Sequence, residues 1–176
     1  TDRFVRIPWN GRDRDGDEIA NGVYFYKVIV KTQDGQLSDE SLGKLFIIRV
    51  AGNVATDVTL GSIEYAVAVL KVPLVVVLGH EACGVLVAAL EGAKDLPPYI
   101  RDLVKKASLP AAEVQKDPQN LDNLVHQAVV KNVEFQMQDL LDKSKVLNKA
   151  VKKQQILFQG AVFHFQDGSV EWCPCK

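Results

Sequence analysis

From Gly43 onward, hydrophobic and polar positions fall into strand-like and helix-like runs that take turns along the chain. "KLFIIRVAG" reads as a strand. "DVTLGSIEYAVAVLK" reads as a helix with Ile63, Ala66, Val67 and Leu70 on one face. "VPLVVVLG" is continuously apolar, as expected of a strand buried on both faces. "EACGVLVAALEGA" then predicts a helix that stops near Gly92, a usual C-terminal glycine. Pro97 and Pro98 stand where prolines start helices and open "PPYIRDLVKKA", and residues 109–120 read as a Pro-rich polar connection. In "NLDNLVHQAVVKNVEFQMQDLL" the apolar positions Leu121, Leu124, Val125, Ala128, Val129, Val133 and Leu140 form one helical stripe. A short helix around Ser144–Lys152 follows. "QILFQGAVFHFQDGSVEW" closes as two strands about Asp167-Gly168, a strong hairpin signal. The pattern predicts an α/β fold, a largely parallel central sheet flanked by helices.

Residues 1–36 are written differently. Clusters of Gly, Asp and Asn precede the aromatic and β-branched run Val23–Val30, which predicts a hairpin or a pair of strands. The expected division is therefore a β-hairpin-like segment over 1–36 and an α/β domain over 37–176. At 176 residues the chain can bury one good core. A net charge of −1 advertises neither nucleic acid nor an anionic membrane surface as a partner. Its apolar runs are strand-length, far short of a bilayer span. The chain opens on Thr1 with nothing that reads as a signal peptide, and its one Met is Met137, so it reads as a processed product or a piece of a longer chain. Cys83, Cys173 and Cys175 cannot all pair within the chain and read as reduced thiols, which points to the cytoplasm.

Within "VVVLGHEACG" (75–84), His80 sits just past a strand end and Cys83 at the start of the next helix. Ligands gather at such strand ends in open α/β sheets. The helix N-terminus favours the thiolate that a metal needs. His80 and Cys83 are thus candidate metal ligands, but a catalytic zinc usually takes three protein ligands, and H-x-x-C shows two. Other candidates are weaker. "DRDGDE" (13–18) fails the spacing of a calcium loop and reads as a solvated turn. His126 falls beside the helical stripe. His164 alternates with Phe163 and Phe165 and is expected to point away from them, to solvent. Cys173 and Cys175 in "WCPCK" are either a tail or donors of a missing thiolate.

Taken together, "LFIIRVAGN" (45–53), "GSIEYAV" (61–67), "VVVLGHEACG" (75–84), "NVEFQMQDLL" (132–141) and the closing strands (155–172) resemble the β-class carbonic anhydrases. The resemblance spans residues 43–172 in the family's order. It implies a zinc ion held by cysteine, histidine and a second cysteine, with water in the fourth position, for the reversible hydration of CO2 to bicarbonate. His80 and Cys83 match the histidine and the second cysteine. The family's first cysteine and an Asp-Arg pair lie in an upstream "C-x-D-x-R" stretch. No cysteine precedes Cys83 here, and the ungapped alignment puts Lys27, Ile29 and Lys31 at those positions. With a short gap, Lys31, Gln33 and Gly35 take them. The resemblance therefore implies an incomplete site with weak or no activity; the alternative is a non-catalytic structural or interaction module. The family's members associate partly through N-terminal helices that this chain lacks, which leaves a homo-oligomer open.

"WNGRDRDGDEIANGVYFYKVIV" is similar to the end of immunoglobulin-like β domains of the flagellar hook-capping and secreted-protein C-terminal type. Trp9, Gly11, Asp13, Gly16, Ala20, Gly22, Tyr24 and Tyr26 carry the likeness. The chain thus reads as chimeric. One expectation follows: Val23–Val30 fills the slot between "LFIIRV" and "LVVVLG" that the missing strand would leave open.

Overall fold

The structure, a computed structural model, describes Arg12, Gly16 and residues 22–31, 37–112, 114 and 121–173, with backbone only for 22–31, 37–44, 121 and 122. In chain order the elements are β1 (Gly22–Lys31), β2 (Leu37–Ile47), a 3-10 turn (Ala51–Asn53), α1 (Asp57–Ala68), β3 (Leu74–His80), α2 (Gly84–Glu91), α3 (Pro98–Ala112), α4 (Leu121–Lys143), α5 (Lys145–Lys152), β4 (Leu157–Phe163) and β5 (Val170–Trp172).

Helix starts and stops follow local chemistry. Thr56 caps α1 in a reciprocal box with Thr59, satisfying amides that the first turn leaves free. Gly92, at φ 66, ends α2 in the left-handed conformation that glycine adopts without a Cβ penalty. Ser144 caps α5 by accepting from the Leu147 amide at 3.0 Å. One boundary differs from expectation. Helix α3 runs through the buried Pro110 to Ala112, where the sequence suggested a connection from 109. Pro110 lies in the last turn, so its missing N–H removes one terminal bond, and burial of the ring offsets that loss.

The described strands form two sheets. In one, β3 pairs parallel with β4, from Leu74↔Leu157 to His80↔Phe163, and β4 pairs antiparallel with β5. In the other, β1 and β2 form an antiparallel pair, from Gly22↔Ile47 to Val30↔Asp39. Val23–Val30 therefore does not enter the slot beside β3. Its partner is β2, a short connection away, and antiparallel neighbours close locally whereas a parallel insertion needs a long crossover. The α/β class stands, and the sheet carrying the candidate site is mixed.

Helix α4 lies against one face of β3 and β4. Its predicted stripe is buried at Leu124, Val125, Ala128, Val129, Val133 and Leu140. Two glycines let it approach closely. A Cβ on Gly79 would stand 2.8 Å from Val129 and 2.9 Å from Val133, and one on Gly160 would stand 2.7 Å from Val133 and from the Met137 sulfur. These contacts fix the height of the β3 C-terminus, where His80 sits, above the helix.

Candidate metal centre

Strand β3 delivers His80 as its last residue. A two-residue turn follows, with Ala82 in the left-handed region at φ 54, and Cys83 is the N-cap of α2. That tight reversal brings the Cys83 thiol close enough to the His80 ring for each to shift the other's pKa. His80 Nδ1 donates to the Glu81 carbonyl oxygen at 2.8 Å. A carbonyl only accepts, so this bond fixes the proton on Nδ1 and leaves Nε2 as the basic, metal-competent nitrogen. Burial pushes the Cys83 thiol up. The His80 hydrogen bond, the Leu86 and Val85 amides and the imidazole charge outweigh it and bring the thiol below its ordinary value. The same thiol hydrogen bond raises His80, against burial.

The carboxylate between them is equally well held. Glu81 Oε1 accepts from the Phe165 amide at 2.7 Å and the Gln166 amide at 3.3 Å, while Oε2 faces His164 Nδ1 at 3.0 Å. His164 Nε2 faces Glu171 at 3.2 Å, and the His126 ring stacks on His164 with centroids 6.0 Å apart. With a carboxylate at each ring nitrogen, His164 donates to both when protonated. The Glu81 hydrogen bond raises its pKa, and the His164 hydrogen bond lowers that of Glu81. Phe163 and Phe165 meet edge to face at 5.5 Å, and Phe165 lies 5.3 Å from the His80 ring. His164, expected to face solvent, is instead one-quarter exposed and held in this strap between β3, α4 and the β4–β5 hairpin. Sequence reasoning missed Glu81, whose partners lie more than eighty residues away.

A buried amide network positions the segment after β2. Asn132 Nδ2 donates to the Gly52 carbonyl at 2.9 Å and to Asn53 Oδ1 at 3.0 Å. Gln136 Oε1 accepts from the Ala55 amide at 2.8 Å, and its Nε2 donates to Asn132 Oδ1 at 3.1 Å. Both residues also escaped notice in the sequence. The available signal was two polar residues four apart on the inward stripe of α4.

The family model described as Carbonic anhydrase matches residues 32–170. The chain belongs to the carbonic anhydrase family. It is similar to Carbonic anhydrase 2 of Mycobacterium tuberculosis, 35% identical over 134 residues that make up 74% of this chain and 63% of that protein. It is also similar to the carbonic anhydrase of Mycolicibacterium smegmatis, 48% identical over 75 residues, or 41% of this chain and 36% of that protein. The chain thus spans less than two thirds of the length of these curated relatives. In fold it is similar to the Coccomyxa β-carbonic anhydrase, with a TM-score of 0.63 and 24% identity over 72% of this chain and 60% of that one. Among the described residues, no helix is long and apolar enough to cross a membrane.

For a carbonic anhydrase, the donors gathered here are few. His80 Nε2 and a thiolate-leaning Cys83 suit zinc by type. Among the described residues, however, no three of His, Cys, Asp and Glu come together as a metal-holding group. Cys173 is buried on the α4 side of β4, where a Cβ on Gly160 would meet its own Cβ at 3.4 Å. Burial and the charges of Glu134 and Glu171 push its thiol up, the reverse of Cys83. Cys175 lies outside the described residues. So do Lys27 and Lys31 beyond their backbone, which belongs to β1. Of the "DRDGDE" turn, Gly16 is described, at φ 89, with Arg12 donating to its carbonyl at 2.8 Å. Among the described residues, the zinc-suited donors brought to the end of β3 are His80 and Cys83, one fewer than a three-ligand site takes.

Proposed function

We propose that this chain is a carbonic anhydrase-family domain whose zinc site is incomplete as encoded, keeping His80 and Cys83 as a ligand pair and hydrating CO2 weakly or not at all. The observation that carries this reading is the pairing of His80 with Cys83 at the end of β3 without a third donor among the described residues. Two further facts support it. No cysteine precedes Cys83, and the positions aligned with the family's "C-x-D-x-R" are held by Lys27, Ile29 and Lys31 without a gap, or by Lys31, Gln33 and Gly35 with a short one. Lys27, Ile29 and Lys31 belong to β1, whose partner among the described residues is β2 and not β3. The test is CO2 hydration followed by stopped-flow pH indicator with added zinc, comparing the chain with Cys83→Ala. The expected rate exceeds that of the variant by a small factor or not at all. A many-fold, zinc-dependent excess over Cys83→Ala, with the circular dichroism spectrum unchanged, would refute the proposal.

A further inference from the structure

Helix α5 is amphipathic and firmly seated. Its Leu147 and Ala150 are buried, and Ser144 caps its first turn. Asn148 Nδ2 donates to the Leu141 carbonyl at 3.2 Å and holds the helix against the end of α4. The opposite face of α5 and the residue that ends it carry Lys145, Lys149, Lys152 and Lys153, all exposed. With Leu141 and Asp142 at the end of α4, these lysines line a groove of about 410 Å³. That volume falls in the range of about 300–1,000 Å³ usual for small-ligand sites.

Local structure accounts for part of this charge. Lys149 and Lys152 lie in the last turn, where a cation meets the negative end of the helix. Lys145 is the first helical residue, where a cation is disfavoured. Lys149 also has Lys145 four residues before it and Lys153 four after it, and like charges at that spacing repel. A carboxylate partner would relieve the repulsion. Among the described residues none of the four lysines has one, whereas Lys143 nearby is paired with Asp139 at 2.7 Å. Asp142, the acid on the groove wall, accepts from Gln138 at 2.8 Å. Four lysines against one aspartate leave an excess of positive charge around the groove, in a chain whose net charge is −1.

We propose that this groove binds a compact anion with several charges in a row, the phosphate chain of an inorganic polyphosphate or of a nucleotide. Lys145 and Lys152 stand about 10 Å apart along the helix axis, the reach of two or three linked phosphates and beyond that of one. Each lysine then meets a phosphate oxygen as a point-charge donor, and the repulsion within the row is relieved. A nucleic-acid strand fits less well, because it calls for a longer basic stripe than one short helix supplies. None of the lining residues belongs to the end of β3, so this binding does not depend on whether His80 and Cys83 hold zinc.

Isothermal titration calorimetry of the full chain, at low salt and without divalent cations, tests the proposal with tripolyphosphate, ATP and orthophosphate as probes. Tripolyphosphate should bind saturably, and orthophosphate far more weakly. Lys149→Gln, at an exposed helical position that suits glutamine, should weaken tripolyphosphate by about tenfold or more, the loss of one charge-assisted contact. Lys94→Gln removes the same charge from an exposed position outside the groove and should change the affinity by less than about twofold. ATP binding more tightly than tripolyphosphate would name a nucleotide as the ligand, and any other order the bare phosphate chain. No saturable binding at millimolar probe, equal losses in Lys149→Gln and Lys94→Gln, or orthophosphate binding as tightly as tripolyphosphate would each overturn the proposal.

Discussion

Replacing Gln136 by leucine removes an acceptor and a donor from the buried network while keeping side-chain volume. Two groups lose their partners: the Ala55 amide, now 2.8 Å from Gln136 Oε1, and Asn132 Oδ1, now 3.1 Å from Gln136 Nε2. Asn132, Gln136 and Ala55 are all buried, so water does not replace the lost bonds. A buried polar group left unpaired costs about 1–3 kcal/mol, and two such groups, less the apolar gain of leucine, give about 2–4 kcal/mol. That is a large share of the roughly 5–15 kcal/mol by which a domain is stable. Urea unfolding followed by far-UV circular dichroism should show a lower midpoint with an unchanged slope. Gln138→Leu is the matched control. Its side chain bonds Asp142 at 2.8 Å on the exposed face of the same helix, and its removal should cost a few tenths of a kcal/mol. A Gln136→Leu cost below about 0.5 kcal/mol, equal to the control, would refute the argument that this network holds the Ala51–Ala55 segment to α4.

Three further outcomes are expected. Gly160→Ala should destabilise the chain by about 1–3 kcal/mol, because Val133 is β-branched and cannot retreat as Met137 can, whereas Gly84→Ala, with open space beside it, should be near neutral in a thermal melt. Ser144→Ala removes both the cap to Leu147 and the 2.6 Å bond from its hydroxyl to Glu64, and should cost about 2–3 kcal/mol in the same urea assay. The Glu81–His164 strap should depend on pH at both ends. His164 is raised, so its contribution is present in acid and lost as pH climbs through its raised value. Glu81 is lowered, so its contribution is present above its ordinary range and lost as pH falls through its lowered value. The stability difference between the unmodified chain and Glu81→Gln should therefore peak between those two values, and a difference that keeps growing into alkaline pH would contradict it.

Periodicity made much of this fold legible. The α4 stripe admits one reading, because burial on a helix dictates the spacing; the apolar run of β3 is the strand expected, but one of its two faces, at Leu74, Val76 and Leu78, is exposed and not buried. Pairing partners were less legible. Val23–Val30 has the alternation and β-branching of a strand, but those properties say nothing of which edge it meets, and the nearby β2 won over the slot beside β3. At the candidate site the H-x-x-C spacing put His80 at the strand end and Cys83 at the helix start, where the structure has them. Glu81 was not found, since an acidic turn residue looks solvated until the Phe165 and Gln166 amides come to it from the far end of the chain. Asn132 and Gln136 read as interruptions of an apolar stripe and are instead what the stripe holds buried.

The central claim is that His80 and Cys83 alone do not make a retentive zinc site. Elemental analysis of the purified chain after dialysis against a zinc chelator tests it most directly, with His80→Ala and Cys83→Ala measured alongside. The account predicts zinc far below one equivalent per chain, with the variants no different. One equivalent of zinc retained by the unmodified chain and lost in both variants would contradict it and would require a third donor at the end of β3.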